Sequence, residues 1–189
     1  MYVCAVNGSP NTEGNTAFLL NTVLDILNGE GCETEIIQIG KIMGKQKQPF
    51  CVNCSSPCNT SCFKGTELME VFEKMRRADV LLFGSPVYFG GPTAQLKALF
   101  DKSRFYRKEK AYLGKPAAVL TVGGSKYGGQ ETTVKSLQDC LLVQGMVIMG
   151  DGSMDFDAGH QGICAHRPAK DDEFALQRCE SLARRILEL

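Results

Sequence analysis

The sequence predicts a doubly wound α/β fold built on a five-stranded parallel sheet. Three observations carry that expectation. Short apolar runs alternate with stretches of helical period along all 189 residues. The runs are apolar throughout rather than at every second position, as strands covered on both faces should be. Turns rich in glycine and serine follow three of the runs directly, where an open parallel sheet places its ligands.

The elements follow in order. Tyr2 to Val6 reads as a strand, ended by Asn7-Gly8-Ser9-Pro10. Thr16 to Leu27 reads as a helix with a wide apolar face through Phe18, Leu19, Val23, Leu24 and Leu27, stopped by Gly29 and Gly31. Ile36, Ile37 and Ile39 form a second strand, and Lys41 to Lys64 shows little periodicity. Thr66 to Arg77 is amphipathic, and Val80 to Phe83 is a strand running into Gly84-Ser85-Pro86. Thr93 to Phe100 is a helix, and Ala117 to Val122 is a strand running into Gly123-Gly124. Glu131 to Val143 is a helix, Met146 to Met149 a strand, and Phe174 to Leu189 a closing helix. No internal repeat or linker interrupts them, so residues 1–189 read as one domain, with a cysteine-rich insertion over 41–65.

Size and charge narrow the function. A chain this long buries roughly 70% of its unfolded surface, so its core needs no disulfide or metal. Twenty-one basic residues balance twenty-one acidic ones, which gives no signal for nucleic acid. No apolar run approaches the ~20 residues of a membrane span. The opening Met1-Tyr2-Val3-Cys4-Ala5-Val6 has no basic leader segment, so a cytoplasmic protein without a signal peptide is expected.

The loop Gly8-Ser9-Pro10-Asn11-Thr12-Glu13-Gly14-Asn15-Thr16 is neither G-x-G-x-x-G nor a P-loop. It still suits an anion. Small residues let the backbone curl, hydroxyls and amides donate, and the next helix presents its N–H groups. No Lys or Arg occurs in residues 1–40, so any phosphate must be held without a cationic side chain from this stretch. The bland reading is a turn and a helix cap. A second loop, Gly84-Ser85-Pro86-Val87-Tyr88-Phe89-Gly90-Gly91-Pro92, sets an aromatic pair at a strand end. Alone, such a pair is more often rim packing than a stacking platform. The third, Gly123-Gly124-Ser125-Lys126-Tyr127-Gly128-Gly129, allows close backbone approach, or is only a flexible connector.

Taken together, S-P-N-x-x-G-N-T, G-S-P-V-Y-F-G, G-G-S-K-Y-G-G-Q-E-T-T and Q-G-M-V-I-M-G resemble the NADPH-dependent FMN reductase group of flavodoxin-like proteins. Within that group the sequence is most similar to the iron–sulfur flavoproteins. The resemblance implies strand order 2-1-3-4-5. It implies FMN phosphate on Ser9, Pro10, Asn11, Gly14, Asn15, Thr16 and Ala17. It sets the ring against Pro86, Val87, Tyr88, Phe89 and Gly90, bordered by Gly123, Gly124, Tyr127 and Gly128. It also implies a homodimer or homotetramer.

Nine cysteines are present, four of them in Cys51-Val-Asn-Cys54-Ser-Ser-Pro-Cys58-Asn-Thr-Ser-Cys62. Four thiols this close suit an iron–sulfur cluster first and zinc second. Unligated thiols or a disulfide complete the alternatives. The iron–sulfur flavoproteins carry cluster cysteines at this place, which implies [4Fe–4S]. The C-x2-C-x3-C-x3-C spacing differs from the C-x2-C-x2-C-x5-C associated with them. Cys4 and Cys140 sit in strand and helix patterns as core residues, and Cys32, Cys164 and Cys179 show no metal spacing. His160 and His166, which flank Cys164, read as part of an ordinary loop.

FMN with a cluster makes a converter between two-electron and one-electron transfer, with NAD(P)H or ferredoxin as donor and a small molecule or protein as acceptor. No catalytic acid–base dyad is expected. The alternatives are a cluster-free NAD(P)H:acceptor reductase acting on a quinone or flavin, and a non-catalytic flavodoxin-like carrier. The basic stretch Lys102, Arg104, Arg107, Lys108, Lys110 and Lys115 reads as a solvated helix end or as a docking face for an acidic partner.

Overall fold

The computed structural model describes all residues, Met1–Leu189. Its strands are β1 (Tyr2–Asn7), β2 (Glu33–Gln38), β3 (Val80–Pro86), β4 (Pro116–Gly123), β5 (Val147–Ile148) and β6 (Ile163–His166). Its helices are α1 (Asn15–Gly29), α2 (Ile39–Gly44), α3 (Glu67–Arg77), α4 (Ala94–Lys102), α5 (Arg104–Lys108), α6 (Gln130–Leu142) and α7 (Glu173–Leu187), with a 3-10 turn at Ala169–Asp171. All pairings are parallel, in the order β2-β1-β3-β4-β5, with β6 also on β4.

Alternate residues of the same strands face opposite cores, which is why the strands read as continuous apolar runs. Cys4, Val6, Leu81, Phe83, Ala117 and Val119 pack towards α3, α4 and α6. Val3, Ala5, Val80, Leu82, Ala118 and Leu120 pack towards α1 and α7.

The expected fifth strand is found split. β5 pairs only with Pro116 and Ala117, and β6 takes over opposite Leu120 to Gly123. The chain leaves the sheet between them, over residues 149–162, and is pinned outside it by Arg178 on Asp151 and Asp157. Two short helices also differ from the sequence reading. Ile39, read as the end of a strand, opens α2, and α5 lies within the basic stretch. Each is too short to show a helical period. Between α2 and α3 the cysteine-bearing residues 45–66 form no strand and no helix, only turns. No helix is long and apolar enough to cross a membrane.

Candidate functional site

The first loop is shaped by its own side chains. Asn7 is fully buried, and its Oδ1 accepts from Ser9 N–H at 3.0 Å while its Nδ2 donates to Gln38 at 2.7 Å. Ser9 Oγ accepts from Asn11 N–H at 3.1 Å, and Asn11 Oδ1 from Glu13 N–H at 3.0 Å. These are consecutive side-chain-to-backbone turns. They leave the Ser9 hydroxyl hydrogen and the Asn11 amide NH2 as donors. Helix α1 then begins on Gly14 with no side-chain cap and no acidic residue in its first turn. The backbone N–H groups of Asn15, Thr16 and Ala17 find no partner in the chain. Helices α4 and α7 differ, capped by Thr93 and Asp172. A 15-residue helix with a bare start and no acidic residue in its first turn has the chemistry to take an anion. Asn15 Oδ1 accepts from Ala169 N–H at 2.8 Å, which leaves its NH2 to donate.

The second loop turns back on itself through paired Tyr88 and Gly91 N–H···O bonds of 2.9 and 3.1 Å. Phe89 and Gly90 hold the tip at φ 51° and 74°. A left-handed aromatic is uncommon and costs energy. Phe89 projects fully into solvent and Tyr88 is half exposed. Thr93, which the sequence did not single out, locks this loop to the first. Its hydroxyl donates to Gly8 O at 2.6 Å, and its N–H donates to Ser85 Oγ at 3.1 Å.

The third loop is built on buried Gln130, whose Nε2 donates to Ser125 O at 2.7 Å and Ala165 O at 3.2 Å. A Cβ on Gly123 would lie 2.3 Å from that nitrogen, so Gly123 is glycine to admit Gln130. Tyr127, at φ 61°, is 92% exposed. Gly129, at φ 94°, lies where a Cβ would be 3.3 Å from both Gly90 and Val87, so the second and third loops touch. Gly124 faces the Arg167 guanidinium, and Arg167 N–H donates to Gly123 O at 3.1 Å. Arg167 thus brings a cation to a region whose N-terminal segment has none. The sequence hid it because Ile163–His166 is too short to read as a strand.

At the carboxyl edge of the sheet, then, a bare helix start stands beside an outward-facing set of aromatics, Tyr88, Phe89 and Tyr127. That arrangement suits a ligand with a phosphate at one end and a flat ring at the other. A cavity of about 570 Å³ lies beyond the third loop, walled by Tyr127, Gln130, Cys164, His166 and Phe174. Of the residues expected at the ring, only Tyr127 reaches it. Burial pushes the Cys164 thiol above its usual range.

The four clustered cysteines are free thiols. Cys54 is exposed and Cys51, Cys58 and Cys62 are partly buried. No three His, Cys, Asp or Glu side chains gather into a group that could hold a metal ion. The donor chemistry nonetheless suits a soft metal. Four thiols share one segment, and Lys102 Nζ donates to Cys62 Sγ at 3.5 Å. The basic stretch is largely absorbed by the chain. Arg107 donates to Val143 O at 2.8 Å, Lys115 to Ala78 O at 2.6 Å and Arg104 to Ser55 O at 3.4 Å.

The sheet order and the three loops define a flavodoxin-like α/β protein whose first helix starts uncapped. The chain belongs to the NADPH-dependent FMN reductase family, which it matches over residues 1–161. It is an FMN-dependent oxidoreductase. An iron-sulfur flavoprotein of Methanocaldococcus jannaschii is 35% identical over 192 residues, covering 100% of this chain and 97% of its own. A NAD(P)H dehydrogenase (quinone) of Methanosarcina mazei is 44% identical over 73 residues, 39% of this chain and 35% of its own. A solved NADH:FMN oxidoreductase shares the fold at a TM-score of 0.73 and 21% identity, covering 100% of this chain and 89% of its own.

Proposed function

We propose that the chain passes electrons from NAD(P)H or ferredoxin to a small-molecule or protein acceptor through FMN, with a [4Fe–4S] cluster on Cys51, Cys54, Cys58 and Cys62. The uncapped start of α1 beside three linked loops carries the flavin part of this reading. The free thiols and the iron-sulfur flavoprotein relative support the cluster.

When bound, FMN exchanges electrons in pairs or singly, and a [4Fe–4S] cluster exchanges them singly. The chain's own contribution is placement. N–H groups of Asn15, Thr16 and Ala17, with the Ser9 hydroxyl and the Asn11 amide, bind the phosphate. Pro86 to Gly90 border the ring on one side and Gly124, Tyr127 and Gly128 on the other. Thr93 and Gln130 fix the spacing of the three loops. Tyr88, Phe89 and Tyr127 are too exposed to exclude water in a single chain. A second copy in a homodimer or homotetramer closes the site.

A second reading, a cluster-free NAD(P)H:quinone or flavin reductase, is favoured by the ungathered thiols. One experiment separates the two. Protein purified anaerobically is assayed for flavin absorbance, iron, acid-labile sulfide and NAD(P)H oxidation with a soluble acceptor. Flavin with iron and sulfide is expected. Flavin without iron selects the second reading, and absence of flavin after reconstitution overturns both. No NAD(P)H oxidation, followed by no turnover with reduced ferredoxin, leaves only a non-catalytic carrier.

A further inference from the structure

Arg167 follows β6 directly, one residue beyond the Gly123–His166 pair that closes the contact with β4. Its backbone is fastened on both sides. Arg167 N–H donates to Gly123 O at 3.1 Å, and two residues on Ala169 N–H donates to Asn15 Oδ1 at 2.8 Å. Ala169 is itself fully buried. The segment thus spans from the third loop to the first turn of α1, and moving Arg167 away from the third loop breaks one of these ties. A Cβ built on Gly124 would meet Cζ, Nε and Nη2 of Arg167, each at 3.8 Å. Three atoms of one planar group at equal distance from a point place that point over the plane. The guanidinium therefore lays its flat face on Gly124, and its N–H groups point sideways, parallel to that face.

Those donors are free. The side chain is exposed and makes no ion pair or hydrogen bond within the chain. Asp172, from the turn that follows, gives it no partner. Its Oδ2 accepts from His166 N–H at 3.0 Å and its Oδ1 from Ala175 N–H at 3.1 Å, capping α7. The phosphate end of the site is already furnished with neutral donors on the first loop and α1. Arg167 lies instead at Gly124, which borders the ring in the reading above. The ring is where charge changes. Hydride from NAD(P)H carries two electrons and one proton. A flavin that accepts it without a further proton gains one negative charge, spread over N1 and the C2 oxygen of its pyrimidine. A fixed guanidinium at that end stabilises the charged form more than the neutral oxidised one.

We infer that Arg167 pairs with the pyrimidine end of the reduced flavin and so raises the potential at which the flavin takes up electrons. The inference rests on the flavin reading above and needs no cluster. Arg167 falls beyond residues 1–161, over which the chain matches its family, so nothing in that match carries the role.

The test compares wild type, R167M and R167K loaded with FMN. The two-electron flavin midpoint is read by spectroelectrochemical titration at one fixed pH, and the affinity for oxidised FMN by fluorescence titration. In R167M the midpoint is expected to fall by about 30 mV, a tenfold weaker hold on reduced relative to oxidised flavin. Oxidised FMN should bind R167M as it binds wild type, and R167K, which keeps the charge, should stay near the wild-type midpoint. An unchanged midpoint in R167M overturns the inference. It does so whether affinity for FMN falls, which would put Arg167 on the phosphate, or the KM for NAD(P)H rises, which would put it on the donor. If R167M fails to fold, judged by far-ultraviolet circular dichroism, R167Q carries the same expectation. Wild type that takes up no FMN overturns the flavin reading and this inference together.

Discussion

Thr16 and Arg178 show what single side chains settle in this chain. Thr16 is buried in the first turn of α1, where three N–H groups lack partners. A hydrogen bond to a charged group contributes about 1.5–3 kcal/mol. Thr16→Val is expected to weaken FMN binding roughly ten- to hundredfold without lowering stability, as read by flavin fluorescence titration and urea unfolding. Arg178, 3% exposed, grips Asp151 through Nε at 3.0 Å and Nη2 at 3.1 Å, and Asp157 through Nη1 at 3.0 Å and Nη2 at 2.9 Å. Arg178→Met strands the buried Asp151 carboxylate and should cost about 3–5 kcal/mol in chemical denaturation. The Arg178 hydrogen bonds also hold the Asp157 carboxyl below its usual 3.8. A lowered acid stabilises the fold above its unfolded value and loses that contribution as pH falls through the folded one. The melting-temperature advantage of wild type over Asp157→Asn should therefore shrink as pH drops below about 4. At this scale the sequence was legible where chemistry is local. Cys4 reads as a core residue, and burial pushes its thiol up to about 12. Thr93 and Arg167 were illegible because each acts on a loop distant in sequence, and Gln130 because half of its bonding goes to Ala165, far along the chain.

Among the elements, the loops after β3 and β4 meet at Gly129, whose φ of 94° strains any side chain and whose added Cβ would press on Gly90 and Val87 at 3.3 Å. Gly129→Val should destabilise by about 1–3 kcal/mol in urea unfolding and weaken flavin binding by pushing the two loops apart. The long helices were readable because their apolar patterns run for many residues, whereas the strand order followed from the family resemblance and not from any pattern in the strands. The fifth strand was readable only as Met146 to Met149. Its continuation Ile163–His166 lies between Gly162 and Pro168, too brief for any period to emerge. The bare start of α1 was half visible. Small donors in the loop were plain, but their use as turn-builders appears only once Asn7, Ser9 and Asn11 are seen bonding to the backbone.

For the whole molecule, the equal totals of acid and base conceal an uneven layout. Residues 1–40 lack any cation, and the basic stretch after Asp101 is spent mostly on the chain's own carbonyls and on Cys62. Lys108 and Lys110 are exposed without a carbonyl or sulfur partner, whereas exposed Arg107 is held by Val143 O. Lys108→Ala with Lys110→Ala should leave the KM for NAD(P)H unchanged in steady-state assays. A marked rise would restore the docking face suggested by the sequence.

The split of the fifth strand has a consequence for life in a crowded solution. A sheet's outermost strand is a template on which another chain can add itself. Here that border is broken into two short lengths, with residues 149–162 rising between them. The opposite border, β2, carries Glu33 and Glu35. Neither rim offers a long, flat, uncharged strand, which disfavours fibril-like stacking on either edge.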